Sequence, residues 1–470
     1  MNKVEKFAKS SMIYFIGQMA TKMISFLLLP LYSNRFSTED YGYFDFSSSI
    51  LNVIVPLVCL EIWSCILRYM FDYKEEKEKY KVITNGLGIW GISVSIYTAG
   101  FIGLNIFLDI KFGGLIFVYG IVLMLQNLYC AIVRGLGKNW MYMASGVVSS
   151  TVIILVNIVL IVGLNRSTET LFISGIIGGI TQILMLEYST HVIANLHLCN
   201  IDKLLLKKML RFSAPLCVNT VAFWLLNSYG RFPIKYYLGM EQNGIYAMAS
   251  RFTVILSLFV TVFQLAWQEL TYSIGNEKDR VIYYSKGINL LIRFLGCCMI
   301  MLLPFTKLAF TLINTEYKVA LSIIPLYYLG TMASSVSVFL GSIFGAEKKN
   351  GIIMYSTLTA GIVNVIVIQF TIQKIGLQGV VLALFLGFLS NIIIRIIMLK
   401  RYVGLKLDVK ILFVLSLLYI GTTYIFYSFN IAVNAVWLFV LALISFYLFK
   451  DMVWLFIKKI NVILRKRSER

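Results

Sequence analysis

Residues 376–399 read GLQGVVLALFLGFLSNIIIRIIML, an apolar run whose one ionisable side chain is Arg395. At 1.5 Å rise per residue, ~20 apolar residues cross the hydrocarbon core of a bilayer, so this stretch predicts a transmembrane helix. Comparable runs recur on both sides of it. The predicted spans are 10–33, 43–70, 83–108, 112–134, 140–163, 169–191, 213–237, 244–272, 287–313, 317–345, 352–373, 376–399, 409–428 and 432–457. Composition agrees, with 59% of the 470 residues hydrophobic and 14% charged, against roughly a quarter charged in soluble domains. A soluble fold is excluded. The expected class is an all-α polytopic membrane protein of about fourteen transmembrane helices.

Connections between the runs are short. The longest polar ones are Phe71–Lys81 and Ala194–Arg211, so no loop is large enough for a soluble catalytic domain. The start, MNKVEKFAKSSMIYFIGQMA, has the basic opening of a signal peptide. Its apolar stretch continues through Met23–Pro30, so an uncleaved first helix is expected. The net charge of +20 would suggest nucleic acid in a soluble protein. Here Lys and Arg sit between apolar spans and report topology; no nucleic-acid partner is expected. About 31 of the 42 basic residues fall on one set of alternate loops and about six on the other. That bias predicts both termini on the cytoplasmic side of an inner (plasma) membrane. The seven cysteines, 59, 65, 130, 199, 217, 297 and 298, show no ligand spacing and read as buried thiols. His191, His197 and Cys199 are a poor metal set, and no metal site is expected.

An internal repeat suggests the architecture. EDYGYFDF (39–46) and EQNGIYAM (241–248) align under a shift of 202 positions, matching Glu39 with Glu241, Gly42 with Gly244 and Phe44 with Tyr246. Both motifs open an even-numbered span, so the repeat is parallel. The expectation is two pseudo-symmetric six-helix lobes, 1–205 and 206–402, followed by two extra C-terminal helices and a basic tail in 403–470. All six prolines lie in or at the ends of spans, which suits bent helices around a cavity.

Ionisable groups inside spans are expensive and mark pathways unless they reach an interface. Arg68, Arg231, Lys235, Lys307 and Arg395 lie within about two turns of an interface, so snorkelling is expected for them. Lys22, ~18 Å into the first helix, is the deepest cation. Arg251 lies about two turns below the opposite face, in the other lobe. Asp45, Glu61, Glu187 and Glu269 are the acidic candidates. A cavity holding Lys22 and Arg251 would attract an anionic substrate, guanidinium recognising phosphate in a bidentate manner. Trp224, Tyr229, Tyr236 and Tyr246 could stack on sugar, although belt and packing roles are the commoner use of such residues.

The stretch LLLKKMLRFSAPLCVNTVAFWLLNSYGRFPIKYYLGMEQNGIYAMASRF (204–252) resembles the central signature of the polysaccharide-biosynthesis flippases. These are the O-antigen and capsule repeat-unit translocases of the multidrug/oligosaccharidyl-lipid/polysaccharide exporter superfamily. RFSTEDYGYFDF (35–46), FQLAWQELTYS (263–273) and TEYKVALSIIPLYYLG (315–330) add support. The resemblance implies a flippase, not an enzyme, that moves polyprenyl-pyrophosphate-linked oligosaccharide repeat units from the cytoplasmic to the outer leaflet by alternating access. It implies Lys22 and Arg251 as substrate contacts, with Arg35 and Arg231 nearer the outer vestibule. It implies no cofactor, but H+ or Na+ coupling, for which Asp45 and Glu61 are the candidates. Membrane lipids and glycan polymerase or assembly proteins are the expected partners. One departure is Gly230, where the family commonly has an acidic or polar residue before Arg-Phe, so no coupling group stands at that position.

Rival classes fit less well. A membrane glycan polymerase or ligase needs a catalytic apparatus on an outer loop. A small-molecule cation antiporter of the same superfamily needs an acidic cavity, whereas the deep charges here are Lys22 and Arg251. A scaffold subunit of an assembly complex has no particular residue in its favour. No P-loop is present, so ATP hydrolysis is not expected.

Overall fold

The computed structural model describes residues 26, 28–73, 75–196, 202–274, 279–347 and 349–449. Among these, every regular element is helical. Twelve helices are long and apolar enough to cross a membrane, and a bent pair makes a thirteenth span. The expected first span, including Lys22, lies outside the described residues except for its end, α1 (Leu29–Arg35). The basic tail also lies outside them. The multi-pass class expected from the apolar runs is therefore the class observed.

The bent pair is α2 (Thr38–Val58) and α3 (Ile62–Met70), which meet at 53°. One span over 43–70, with a proline-bent helix, was expected, and the break falls just after Pro56. Pro56 cannot donate a backbone hydrogen bond, and four and five residues later Leu60 and Glu61 turn left-handed at φ 49° and 51°. Non-glycine residues adopt that conformation at a cost of ~1–2 kcal/mol each, so surrounding packing must hold the break.

Four helices complete the first lobe: α4 (Glu76–Leu108), α5 (Gly113–Gly135), α6 (Asn139–Asn157) and α7 (Glu169–Thr190). Next comes α8 (Lys203–Asn227), capped by Asp202, whose carboxylate accepts from the Leu204 and Leu205 N–H groups. A helical turn, Arg231–Pro233 and Ile234–Leu238, leads into α9 (Met240–Ile274). The second lobe continues with α10 (Arg280–Ala309), α11 (Ile324–Ala346), α12 (Asn350–Ile375) and α13 (Leu377–Tyr402). The last two helices, α14 (Val409–Ser428) and α15 (Ile431–Leu448), pack on α10. Trp437 Nε1 ties them together by donating to Thr422 Oγ1 at 3.0 Å.

Burial separates two cores. One runs from Leu51 to Met209, and the other from Leu226 to Leu441 with Leu29, Phe36, Tyr41, Ile161 and Leu171 added at the junction. The change from one core to the other falls within α8. Its first half binds the first lobe, where Lys208 and Met209 carbonyls accept from Tyr69 Oη and Cys65 Sγ. Its last turns lean on α12, where the Leu226 carbonyl accepts from Asn364. Pro215 stands between the two halves. The helix is thus shared between the lobes.

The lobes meet where α2 crosses α9, and the repeat motifs are what meets. A Cβ on Gly42 would lie 2.2 Å from the Met240 carbonyl oxygen, and one on Gly244 1.8 Å from that of Thr38. Only glycine permits backbones this close. Asn243 Nδ2 donates across the crossing to the Gly42 carbonyl at 2.7 Å. The equivalent glycines of the two motifs, Gly42 and Gly244, therefore stand face to face at the crossing.

Candidate functional site

The crossing lies at the end of the molecule whose loops carry few basic residues, called here the base-poor end. A seam of contacts joins the lobes there. Tyr317 Oη donates to the Ser37 carbonyl at 2.9 Å and the Phe36 carbonyl at 3.2 Å. Phe46 packs edge-on against Phe232, and Lys235 Nζ stands 4.5 Å from the Phe46 ring. No sequence signal marked Tyr317, since tyrosines at span ends are ordinary belt residues.

At the centre of the seam is a carboxylate between two guanidinium groups. Asp45 on α2 is held by Arg231, with Nε to Oδ2 at 2.5 Å and Nη2 to Oδ1 at 3.4 Å. Both side chains are nearly buried, Arg231 at 11% and Asp45 at 7% exposed. The vestibule position and the snorkelling expected for Arg231 are thus corrected: its short tether, set by the turn after α8, directs it into the seam. Arg251 on α9 approaches the same carboxylate at 3.9 Å and donates from Nε to Tyr41 Oη at 3.2 Å. It keeps 38% of its side chain accessible and is the cation of this cluster that a ligand can reach. One carboxylate against two arginines leaves a net positive charge.

The aromatic residues near this cluster are already engaged. Tyr246 stacks on Tyr327 with centroids 5.3 Å apart, under the Arg231 guanidinium at 5.5 Å. Trp224 Nε1 donates across the lobes to the Ser49 carbonyl at 3.1 Å. Tyr229 lies edge-on to Trp224, and Tyr236 is exposed against Tyr237.

The remaining candidates lie apart from the cluster. Arg35 is exposed and reaches Asn165 Oδ1 at 3.3 Å. Glu61, at the left-handed break, accepts from Thr220 Oγ1 on α8 at 2.7 Å and from Ser64 Oγ at 3.2 Å. It is a second carboxylate linking the lobes, held in a strained backbone of the kind that collects at functional positions. Glu187 has a local structural task, accepting from Tyr129 Oη and from the Val192 and Ile193 N–H groups just beyond α7. The side chain of Glu269, together with His197 and Cys199, lies outside the described residues. Among the described residues no cluster of His, Cys, Asp or Glu could hold a metal ion.

Of the other cations, Arg68 pairs with Asp72 on the surface. Lys307 donates to the Phe429 carbonyl at 2.6 Å and also to that of Phe426. Arg395 departs from expectation. It is 3% exposed, inside the second lobe, with Ser337, Ile353, Ser356 and Thr357 as acceptors. Snorkelling is therefore corrected: its side chain points between α11, α12 and α13, where oxygen acceptors replace water.

The architecture has solved counterparts. Over 94% of this chain and 100% of the other, it resembles the lipid II flippase MurJ in an inward closed conformation, with a TM-score of 0.70 and 15% identity. Over 81% of this chain and 96% of the other, it resembles an inward-facing multidrug resistance MATE family transporter of the MOP superfamily, at 0.66 and 16%. At these identities the likeness is one of fold. A short segment is 34% identical over 68 residues to Lsg locus putative protein 1 of Haemophilus influenzae, covering 14% of this chain and 17% of that one. The family model described as polysaccharide biosynthesis protein matches residues 7–267, more than half of the chain and all of the seam's arginines. The chain belongs to the polysaccharide biosynthesis protein family.

Proposed function

We propose that this protein is a flippase that carries polyprenyl-pyrophosphate-linked oligosaccharide from the cytoplasmic to the outer leaflet of the plasma membrane. The observation that carries the reading is the Arg231–Asp45–Arg251 cluster across the lobe junction. Its charge favours an anionic headgroup, and Arg251 is accessible to one. The glycan would pass between the lobes without crossing ~30 Å of hydrocarbon, its lipid tail staying in the bilayer. The likeness to a lipid II flippase supports a lipid-linked substrate.

The cluster also suggests how binding is tied to motion. Asp45 serves both arginines as an internal counter-ion. A pyrophosphate at Arg251 competes for that role and weakens the link that closes the base-poor end. Only a ligand that interacts differently with the two states shifts their balance, and a cross-lobe ion pair meets that condition. H+ or Na+ coupling at Asp45, the carboxylate of the seam, or at Glu61, which accepts from Thr220, is part of the proposal, as is Lys22 as a substrate contact. The test is the leaflet location of lipid-linked glycan in cells depleted of the protein. Complete repeat units held on the cytoplasmic face and released on re-expression are expected. Repeat units delivered normally to the outer face and left unpolymerised there would overturn the reading.

A further inference from the structure

Arg395 stands apart from the seam and is not used by the transport scheme above. All five of its N–H groups are taken: Nε by Ser356 Oγ at 2.9 Å, Nη1 by the Ser337 carbonyl and by Ser337 Oγ at 3.1 Å, and Nη2 by Thr357 Oγ1 at 3.1 Å and the Ile353 carbonyl at 3.4 Å. Every acceptor is neutral. Among the described residues no carboxylate lies within ion-pair distance of it. A cation buried in a membrane protein without a counter-ion is costly, and such charges normally pair.

Beside the guanidinium is a partly open cavity of about 230 Å³ lined by α8, α11, α12 and α13. Ser337, Ser342, Thr357, Asn391 and Arg395 supply its polar lining, and Phe223 part of its apolar wall. Asn391 is 1% exposed, and its Oδ1 accepts from Ser337 Oγ at 2.9 Å. That bond turns its amide NH2 toward the cavity, where it donates to no protein atom. A donor with no partner and a charge with no counter-charge therefore share one space, on residues four apart on one face of α13.

We infer that this cavity binds a monovalent inorganic anion of the chloride class, held by the Asn391 amide and by the charge of Arg395. Charge balance selects one negative unit. A phosphate dianion is strongly hydrated and needs several donors to replace that water, whereas one free amide and the guanidinium's field suit a weakly hydrated halide. A Na+ or K+ ion is repelled from the same place. The anion would neutralise the core of the second lobe and stiffen the packing of α11, α12 and α13.

The test uses the full chain in phosphatidylcholine nanodiscs, with chloride replaced by gluconate at constant Na+. Chloride should raise Tm by about 2 °C at saturating concentration, and bromide should give an anomalous peak beside Asn391 in a crystal structure. Asn391→Leu, which keeps size and removes the donor, should weaken the halide dependence at least tenfold, while Arg251→Ala keeps it. A Tm indifferent to chloride overturns the inference. So does a halide response that survives Asn391→Leu and is lost in Arg251→Ala, or a shift given by phosphatidylglycerol or inorganic phosphate and not by chloride.

Discussion

Arg231 and Arg395 are both buried arginines, and their surroundings differ in one decisive respect. Arg231 is held by a carboxylate of the opposite lobe. Arg395 is held by hydroxyls and carbonyls of its own lobe, on helices that pack against one another. In the proposed transport scheme a bond across the junction would change as the lobes rock, whereas bonds within one lobe would move together. On that scheme, location relative to the junction, more than depth or charge, would separate a switching residue from a structural one.

The comparison can be broken most directly at its first member. Arg231→Ala should leave Asp45 with only the longer Arg251 contact and cost about 1–3 kcal/mol of seam stability, abolishing glycan export while membrane levels of the protein stay within twofold. Export assays and immunoblots on the same cells check this, and normal export would place Arg231 with Arg395. Arg395→Met should do the reverse, lowering stability by about 2–4 kcal/mol through its orphaned acceptors; the fall appears in Tm and protein amount before it appears in export per molecule.

Smaller changes sharpen the distinction. Gly244→Ala forces α2 and α9 apart at a cost of about 1–3 kcal/mol and should increase labelling of a cysteine placed at Tyr41 from the base-poor side. Thr220→Val removes one hydrogen bond from Glu61, worth about 1 kcal/mol. It should slow export about fivefold with a fall in Tm of only a few degrees. Arg68→Ala loses only an exposed i,i+4 pair with Asp72 and should leave Tm unchanged within the error of the measurement.

Much of the site could be read before the fold was known. Arg251 and Asp45 stood out because ionisable groups are rare in apolar spans. The placement of Arg231 did not follow from its distance to an interface, since the turn after α8 redirects it. Asn391 and Arg395 carried a legible signal, polar residues four apart in one apolar span, but its meaning depends on the acceptors that α11 and α12 bring. Tyr41 and Tyr317 fall within the quoted stretches 35–46 and 315–330, but nothing there singled either out among 28 tyrosines.

The apolar runs by themselves determined the multi-pass helical class, because backbone groups in lipid must bond within their own segment. The repeat motifs also pointed to a parallel two-lobe plan. Only the tertiary structure decided that Gly42 and Gly244 meet, that α8 is shared, and which charges pair across the junction. Helix formation depends on residues a few positions apart, whereas the Asp45–Arg231 pair joins residues 186 positions apart. Asp45 and Arg231 become partners only through the crossing of α2 and α9.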